Sequence, residues 1–551
     1  MRFVFAALPL LFLGTLAHAD VDARLRQAAQ AIEAELAKSN RPGVVIGISD
    51  RQQLRQVAVH GYSDLKARIP LTRESRFAIG SISKAFTAIA LMQLADEGRF
   101  DPHAPVARYL PSFKIRSAYP PMTGHDVLSH TAGLPYYLTD TASSRAVLLS
   151  LEDFTPTYAP GAHWAYSNTG FQVMGYVLEQ IEGEQYDTIV RRRVLEPLGM
   201  SASSAVIDDA QRDHMTLSYT RWPYNGQYVE SPWFEYLAGD GSIVSTVGDM
   251  AAYTRFFLNR GQGSKKRLLS ERSFATLTTP VLEDYGYGLF VRREHDHTVI
   301  SHSGGIAGFA SYIEAHPDEG FSLVMLSNGG LDNTLRLWVT ELVTAAFADR
   351  ELPKAPPADP DALMAPLKDY VGHFKAVAGD APNTIEVRLV RDNLLLQGPE
   401  GERRLQRIGV NTFRAVSDSG DHDCYVFARL EDKPQGIVTG VSHGIRWYAS
   451  PTSQVPPAVA PAAYAAYVGH YVNNGPEGPV ARVFVRNGKL FASLFMEASI
   501  PPLPLETVDA NTFRLGAEDF SPERARFDGI IDGHAQRLTI DGVPLYRRAT
   551  P

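Results

Sequence analysis

The sequence has a single cysteine among 551 residues and no excess of positive charge. Cys424 has no second cysteine to pair with, which excludes an internal disulfide. Lys and Arg number 53 against 61 Asp and Glu, giving a formal net charge of −8. Nucleic-acid-binding domains carry a basic face, so we expect no nucleic-acid partner for this chain.

Several catalytic and metal-binding motifs are also missing. The chain contains no Gly-x-Ser-x-Gly elbow, no His-Glu-x-x-His helix and no Gly-x-x-x-x-Gly-Lys-Ser/Thr loop. Potential metal ligands cluster at residues 294–297 and 421–424, but both groups lie in turns between predicted strands. Neighbouring side chains on a strand point to opposite faces, which disfavours shared ligation. We therefore predict no metal and no other cofactor.

The N-terminus carries a long apolar run. Met1-Arg2 precede apolar residues 3–16, and Ala17-His18-Ala19 provide a small-x-small end. This pattern predicts a signal peptide over residues 1–19, with Asp20 as the first mature residue. A retained membrane anchor is the alternative, because the run is close to spanning length. We expect a periplasmic or secreted protein without stable membrane insertion after cleavage, and the oligomeric state stays open.

Residues 20–350 combine helix and strand signals at both ends with a helical or looped middle. Amphipathic spacing predicts a first helix within residues 20–39, and another follows at 335–348. Short apolar runs predict strands at 44–48, 54–59, 287–291, 297–301, 309–315 and 321–327. We expect an α/β domain with one antiparallel sheet built from both ends, flanked by helices, with a helical lobe inserted.

The C-terminal part repeats itself. Proline-rich stretches predict linkers at 351–366 and 452–462. The sequence at 370–374, Tyr-Val-Gly-His-Phe, recurs at 467–471 with Tyr in last place, and Asn-Thr-Phe-Arg at 411–414 recurs at 511–514. We predict two copies of one all-β module, each a small barrel or sandwich, at residues 367–451 and 463–551.

The pattern Ser-x-x-Lys occurs twice. Ser81 and Lys84 lie where a helix is predicted to begin, and the residues that follow are apolar on nearly every face, which indicates burial. Residues three apart share a helix face, so Lys84 can accept the Ser81 proton, and burial favours an uncharged lysine. Ser63 and Lys66 instead follow Gly61 and precede Pro70, which predicts a solvated hairpin loop. Ser81 is therefore the candidate nucleophile.

Three further stretches strengthen this candidate site. Tyr166 can pass the Ser81 proton to a leaving group, and the Asn168 amide can hold a substrate carbonyl. His302-Ser303-Gly304-Gly305 ends a predicted strand, where glycines allow close approach and a backbone amide can join that of Ser81 as an oxyanion hole. Residues 128–135 form a polar, glycine-bearing loop that we expect at the rim of the cleft. A plain hairpin turn at Gly304-Gly305 is the alternative.

Together these motifs resemble the serine β-lactamase and penicillin-binding-protein superfamily, in particular the class C β-lactamase-like hydrolases. Ser81-x-x-Lys84, Tyr166-Ser167-Asn168 and His302-Ser303-Gly304 stand in the family's order at about its spacing. The resemblance implies acyl transfer through a covalent intermediate at Ser81. It assigns Lys84 and Tyr166 to proton transfer and Asn168, with His302, Gly304 and Gly305, to substrate binding. Which of Lys84 and Tyr166 is the acylation base stays open.

Two positions depart from the family pattern. Many β-lactamases and transpeptidases carry a lysine where this chain has His302, and a largely neutral histidine anchors a substrate carboxylate poorly. Strong β-lactamase or carboxypeptidase activity is therefore not expected. Asp240 stands where relatives often have a small residue. We expect a solvated loop acid there, with a cleft residue that binds a substrate amine as the alternative.

The doubled C-terminal module is similar to that of the D-aminopeptidases of this superfamily, in which two lipocalin-like barrels follow the hydrolase domain. The resemblance implies an exported serine hydrolase acting on a small peptide, amide or ester, specifically a peptidase or aminopeptidase for peptides with D- or unusual residues. An esterase or weak β-lactamase is the alternative enzyme. A non-catalytic protein that senses or binds peptidoglycan fragments is the alternative from a different class.

Overall fold

The computed structural model describes most of the chain and leaves several segments undescribed. It describes residues 10–137, 144–152, 154–221, 227–294, 296–356, 365–377, 384–398, 401–409, 411–416, 424–430, 436–453, 456, 458–473, 480–494 and 501–548. The chain divides into two compact units. The first comprises Met1–Leu134, Thr141–Arg221 and Tyr228–Pro357, and the second comprises Pro135–Asp140, Trp222–Gln227 and Ala358–Pro551. The domain boundaries expected from the sequence stay predictions.

The first unit is built on a seven-stranded antiparallel sheet. The strands of this unit are β1 Gly43–Asp50, β2 Leu54–Asp64, β3 Ile69–Pro70, β4 Phe77–Ala78, β5 Tyr219–Arg221, β6 Tyr228–Glu230, β7 Val244–Ser245, β8 Phe290–Glu294, β9 His297–Ile306, β10 Phe309–His316 and β11 Phe321–Ser327. Strands β4 to β7 lie outside the seven-stranded sheet and form two short pairs, β4 with β7 and β5 with β6. The order in the sheet is β3-β2-β1-β11-β10-β9-β8. The first and last strands of the unit therefore meet at its centre, as the sequence predicts.

The other regular secondary structure of this unit is mainly helical. They are α1 Leu10–Leu36, α2 Ser83–Asp96, α3 Val106–Tyr109, α4 Gly124–Leu128, α5 Ser144–Leu151, α6 Asn168–Glu182, α7 Tyr186–Val190, α8 Glu196–Leu198, α9 Asp209–Arg212, α10 Val247–Leu258, α11 Glu271–Leu277 and α12 Asn333–Phe347. Helices α2 to α9 lie between the two groups of sheet strands in the sequence. They form the helical insertion that the sequence predicts.

Burial explains why both ends of the unit meet in one sheet. All residues of β1 and β11 are buried, so the central strands are covered on both faces. One face packs against the two terminal helices, where Leu25, Ile32, Trp338 and Leu342 share a core with the sheet. Helix α10 contacts β1 and β11 as well. The terminal helices thus cover the core on one face of the sheet.

The N-terminal segment is described in part. Residues 1–9 of the predicted signal peptide lie outside the described residues, and α1 begins at Leu10, ten residues before the start that we expected. Among the described residues, no helix combines the length and the apolar character needed to cross a membrane. Signal cleavage and export stay predictions.

The second unit contains two closed antiparallel barrels of eight strands each. The first consists of β12 Gly372–Ala376, β13 Thr384–Val390, β14 Asn393–Gly398, β15 Gly401–Gly409, β16 Thr412–Val416, β17 Cys424–Arg429, β18 Val438–His443 and β19 Arg446–Ala449. The second consists of β20 Gly469–Val472, β21 Val480–Arg486, β22 Lys489–Leu494, β23 Leu503–Thr507, β24 Thr512–Leu515, β25 Arg524–Ile531, β26 His534–Ile540 and β27 Val543–Arg548. Of the two architectures expected for the repeat, the barrel is confirmed.

The repeated sequence markers have a structural reason. In the first barrel the Tyr370 hydroxyl donates to Asn411 Oδ1 at 2.9 Å, and in the second the Tyr467 hydroxyl lies 3.2 Å from Asn511 Oδ1. Each tyrosine also packs on the phenylalanine two residues after that asparagine, with ring centroids 4.8 and 5.3 Å apart. The repeated residues therefore connect one end of each barrel to its core. The predicted fold class, an α/β domain followed by two all-β barrels, is confirmed.

Candidate active site

Ser81 lies in a 3₁₀ turn, Gly80–Ile82, that leads directly into helix α2. From Ser83 to Met92 every residue of α2 is buried, because apolar side chains occupy nearly all of its faces. Ser81 itself is only partly buried. The sequence thus places a partly accessible hydroxyl at the N-terminal end of a helix fixed in the interior.

Hydrogen bonds hold the residue before this turn to strand β10 and to the residue that precedes β7. The Ile79 amide donates to the Ile243 carbonyl at 2.9 Å, and Ser311 Oγ donates to the Ile79 carbonyl at 2.8 Å. Gly80 has a φ of +50°, and a Cβ there would lie 2.7 Å from the Gly305 nitrogen. A Cβ at Gly304 would lie 2.0 Å from the Ile79 carbonyl oxygen. Both glycines are therefore required for β9 to approach the serine turn.

Lys84 is fully buried, and its ammonium is surrounded by acceptors. Nζ lies 2.9 Å from Ser81 Oγ, 2.6 Å from Asn168 Oδ1 and 3.0 Å from the Asp240 main-chain oxygen. Burial lowers the pKa of Lys84 to about 7, against an opposing effect of the Asp240 carboxylate, which raises it. A lysine in this condition is an uncharged base for part of the time near neutral pH.

Tyr166 and Asn168 reach the lysine from the start of helix α6. Ser167 is the N-cap, and its Oγ accepts from the Gly170 amide at 2.9 Å. This cap fixes Asn168 as the first helical residue, with its amide oxygen on Lys84. The Lys84 ammonium lies 4.9 Å from the centroid of the Tyr166 ring. The three residues that the sequence grouped are therefore neighbours.

The free edge of β9 faces the serine turn. β8 pairs with β9 only as far as Ser301, and β9 and β10 are joined by the two-residue turn Ala307-Gly308. Alternate pairs exchange hydrogen bonds in an antiparallel ladder, so the pair next to the turn-closing pair is not bonded. Gly305 belongs to that pair, opposite Ala310. We infer that its N–H points away from β10, toward the turn that carries Ser81.

His302 is 2% exposed, so its ring lies within the protein. Its Nδ1 lies 2.5 Å from the Ser303 carbonyl, which can only accept, so Nδ1 carries the proton. Its Nε2 then accepts from the Tyr285 hydroxyl at 3.1 Å. Burial, with a contribution from the Lys84 charge, lowers the pKa of His302 to about 3. The ring is neutral, and both its nitrogens are bonded within the protein; its expected role in substrate binding stays a prediction.

The loop at 128–135 is buried, whereas we expected it at the cleft rim. His130 is 1% exposed and packs on Tyr166 with ring centroids 4.4 Å apart. Its Nδ1 accepts from the Ser167 amide at 3.1 Å, while its Nε2 has no hydrogen-bond partner among the described residues. Burial holds the pKa of His130 well below its ordinary value. No motif or periodicity in the sequence indicates this contact, which joins positions 37 apart.

Asp240 is also buried, so our expectation of a solvated loop acid was wrong. The residue is 2% exposed, and the Tyr236 hydroxyl lies 2.9 Å from each of its carboxylate oxygens. Gln172 Nε2 donates to the same hydroxyl at 2.9 Å. Gln172 follows Asn168 by four residues on α6, so helical spacing is the signal that could have linked it to the site.

Metal ligands are not gathered at this site. Across the part of the chain that the structure describes, no cluster of three or more His, Cys, Asp or Glu side chains is arranged to hold a metal ion. Of the two candidate groups in the sequence, residue 295 of the first and residues 421–423 of the second lie outside the described residues.

The structure therefore brings Ser81, Lys84, Tyr166 and Asn168 together and sets Gly304 and Gly305 against the serine turn. The buried residues His130 and Asp240 add to this group. The arrangement presents a hydroxyl next to a buried amine of lowered pKa and beside backbone amides. Such an arrangement can carry out nucleophilic acyl transfer.

Two curated proteins resemble this chain over about half of its length. The chain is 26% identical to penicillin-binding protein 4* of Bacillus subtilis (strain 168) over 292 residues, which cover 49% of this chain and 64% of the relative. Protein flp of Staphylococcus aureus (strain NCTC 8325 / PS 47) is 25% identical over 311 residues, covering 54% of this chain and 61% of the relative. The chain thus spans less than two thirds of the length of these curated relatives.

A solved structure and a family model extend the comparison. The octameric penicillin-binding protein homologue from Pyrococcus abyssi has a similar fold, with a TM-score of 0.55 and 21% identity, over 77% of this chain and 99% of that one. The family model described as Beta-lactamase matches residues 28–343, more than half of the chain and all the residues of the site. The chain belongs to the beta-lactamase family of serine hydrolases.

Proposed function

We propose that the protein is an exported peptidase or aminopeptidase that forms an acyl-enzyme at Ser81 and acts on small peptides with D- or unusual residues. The observation that carries the catalytic part is the 2.9 Å contact between Lys84 Nζ and Ser81 Oγ, made by a fully buried lysine. A serine hydroxyl is a weak nucleophile unless a base accepts its proton. Lys84 meets that need in position and in pKa.

Acylation proceeds in two steps. As Ser81 Oγ forms a bond to the substrate carbonyl carbon, its proton passes to the uncharged Lys84 Nζ or, in the alternative, to a Tyr166 phenolate oxygen, and the carbonyl oxygen takes the negative charge. When that intermediate collapses, the bond to the leaving nitrogen or oxygen breaks and this atom takes the proton. An ester with Ser81 remains. Water then attacks the ester in the same manner, releases the acid and returns the proton to Ser81.

The backbone supplies the stabilisation of charge. The amides of Ser81 and Gly305 lie on facing segments, and we assign them as the two donors for the developing oxyanion. Asn168 binds the acyl side of the substrate. Its Oδ1 is occupied by Lys84, so its NH₂ group is the part that donates to a substrate carbonyl.

The enclosed His302 favours a substrate without a carboxylate next to the scissile bond. Both ring nitrogens are bonded inside the protein, and the ring is neutral at neutral pH. An anchoring cation at this position is therefore missing. For this reason we expect β-lactams and carboxypeptidase substrates to be turned over more slowly than neutral or amine-bearing amides. The same feature suits an ester, so an esterase or weak β-lactamase is the second candidate enzyme.

Restriction to D- or unusual residues rests on architecture. Two closed eight-stranded barrels follow the region that matches the family model, and by this arrangement the chain resembles the D-aminopeptidases. Export rests on the predicted signal peptide at residues 1–19. The candidate from a different class is a sensor of peptidoglycan fragments, which would bind its ligand at the same site without turning it over.

Active-site labelling tests the proposal. The purified protein and its Ser81→Ala variant are treated with a fluorescent fluorophosphonate and a fluorescent penicillin, and then assayed with matched D- and L-aminoacyl anilides and esters. We expect Ser81-dependent labelling by the fluorophosphonate and turnover of aminoacyl anilides, with a preference for the D series. Labelling without turnover of any substrate supports the sensor, and turnover confined to esters supports the esterase. Absence of Ser81-dependent labelling contradicts covalent catalysis.

A further inference from the structure

Lys84 is held by three acceptors, one for each N–H of an ammonium group. They are Ser81 Oγ, Asn168 Oδ1 and the main-chain oxygen of Asp240. A lysine bonded in this way is well stabilised as a cation. The same lysine must lose a proton to serve as a base. The charges around it therefore determine when that loss occurs.

Asp240 brings a second charge to the same place. Its carbonyl touches Lys84, and its carboxylate is buried and directed at the Tyr236 hydroxyl, 2.9 Å from each oxygen. Gln172 supports that hydroxyl from α6, one turn after Asn168. Helix α6 thus fixes both the lysine and the group that holds the carboxylate. A buried carboxylate is costly unless it is hydrogen-bonded and paired with a cation.

The two histidines near the pair do not supply this negative charge. Burial lowers the pKa of His130 and of His302, and the Lys84 charge lowers both further, so both rings are neutral at neutral pH. The Tyr166 ring faces the ammonium. Near Asp240, burial raises the pKa of Tyr186, which keeps that phenol protonated, and Glu179 lies beyond it with its Oε1 on the Tyr186 amide.

We propose that Asp240, held by Tyr236 and Gln172, is the buried counter-charge of Lys84 and sets the pH at which the Ser81–Lys84 pair becomes reactive. The inference rests on the proposed function, because it requires acylation at Ser81 with Lys84 as the base. Asp240 acts through Lys84 and does not touch the reacting atoms, so it is a positioning residue. Burial raises the pKa of Asp240, and the Lys84 charge and the hydrogen bond from Tyr236 oppose that rise. At a pH where Asp240 is ionised, it favours the ammonium and delays its deprotonation to a higher pH.

Asp240→Asn tests this directly, since asparagine keeps the shape and an acceptor for Tyr236 but removes the charge. The rate of Ser81 labelling by a fluorophosphonate is measured from pH 4.5 to 9. The wild type loses reactivity on the acid side as Lys84 gains its proton. We expect the variant to move that acid limb to lower pH by about one unit, so that, over the part of the limb where Asp240 is ionised, it labels about tenfold faster than the wild type relative to its own plateau.

Tyr236→Phe is the second variant, in case the first does not fold. It removes the hydroxyl from Asp240, which raises the pKa of that carboxyl and weakens the counter-charge. We expect a smaller shift in the same direction, and no further shift when the change is added to Asp240→Asn. Asp249→Asn is the matched control. It removes a half-buried carboxylate that bonds to Ser203 and to the Ala202 amide, and it should leave the limb in place.

Two outcomes overturn the inference separately from the proposed function. An acid limb that Asp240→Asn leaves unmoved, or moves to higher pH, overturns the counter-charge while Ser81 catalysis stands. If the first variant does not fold, an unmoved limb in Tyr236→Phe has the same meaning. A wild type without Ser81-dependent labelling overturns the proposed function and the inference together.

Discussion

The two Ser-x-x-Lys segments of this chain show how much the surroundings of a tetrapeptide decide. Ser63 is the last residue but one of strand β2, its hydroxyl donates to the Ile69 carbonyl at 3.2 Å, and Lys66 is exposed in the turn that follows. Ser81 and Lys84 stand three residues apart as well, but the lysine is fully buried and bonded to the serine. Only the second lysine is removed from water, so only there does the pattern provide a base.

A second pair of look-alike segments agrees with this difference. Tyr166 and Asn168 surround Lys84. Tyr471 and Asn473 have the same spacing in the second barrel, but the tyrosine donates to the Tyr467 carbonyl at 2.8 Å and the asparagine to the Pro544 carbonyl at 2.8 Å. These contacts hold the barrel together. The motif is the same, and the local fold gives it a structural role.

The largest effect should come from the serines. Ser81→Ala removes the proposed nucleophile, and we expect complete loss of covalent labelling and of turnover. Ser63→Ala removes a hydroxyl from the hairpin and should leave both at the wild-type level. Gel fluorescence after fluorophosphonate treatment measures the labelling, and mass spectrometry locates it. Modification at Ser63, or label retained in Ser81→Ala, would reverse the comparison.

The lysines should differ nearly as strongly. Lys84→Met keeps an apolar stem of similar length but removes the base, and we expect the acylation rate to fall by about 10³-fold or more. Lys66→Met alters an exposed side chain and should change that rate by less than twofold. Stopped-flow or quenched labelling at pH 8 gives both rates. A near-normal rate in Lys84→Met would leave Tyr166 as the base.

A smaller effect is expected at His130, which supports the tyrosine segment. His130→Leu removes the acceptor for the Ser167 amide and leaves that amide buried without a partner. We expect kcat to fall about tenfold, with KM changed less, because Tyr166 and Asn168 lose their alignment. His130→Asn is the conservative partner: its amide oxygen can replace Nδ1, and asparagine tolerates the φ of +60° at this position. Restoration of kcat by asparagine distinguishes positioning from loss of stability, and equal defects in both variants would contradict the role.

Much of this organisation could be predicted from the sequence, and the parts that could not have a common cause. The order of Ser81, Lys84, Tyr166 and His302, the split sheet and the repeated barrels follow from motifs, periodicity and internal repetition. The burial of Asp240 and of His130 does not, because polar residues in a glycine-bearing stretch also fit a solvated loop. Their burial depends on partners distant in sequence, Gln172 for one and Ser167 for the other.

The smallest expected effect is on stability rather than on activity, and it distinguishes Lys84 from Lys66. Burial lowers the pKa of Lys84 to about 7, so between that pH and its ordinary value near 10.5 the unfolded chain binds a proton that the folded chain has released. Stability should therefore rise with pH through this window, by about 1 kcal/mol between pH 7 and pH 8 from this group alone. Urea unfolding at pH 7 and at pH 8 measures the increase in the free energy of unfolding, read from the transition of the first unit. Lys84→Met should lose it and Lys66→Met should keep it, because removal from water, rather than the presence of a lysine in the pattern, is what separates the two copies. A rise of the same size in Lys84→Met would mean that another group releases the proton, and Lys84 would then not be an uncharged base near neutral pH.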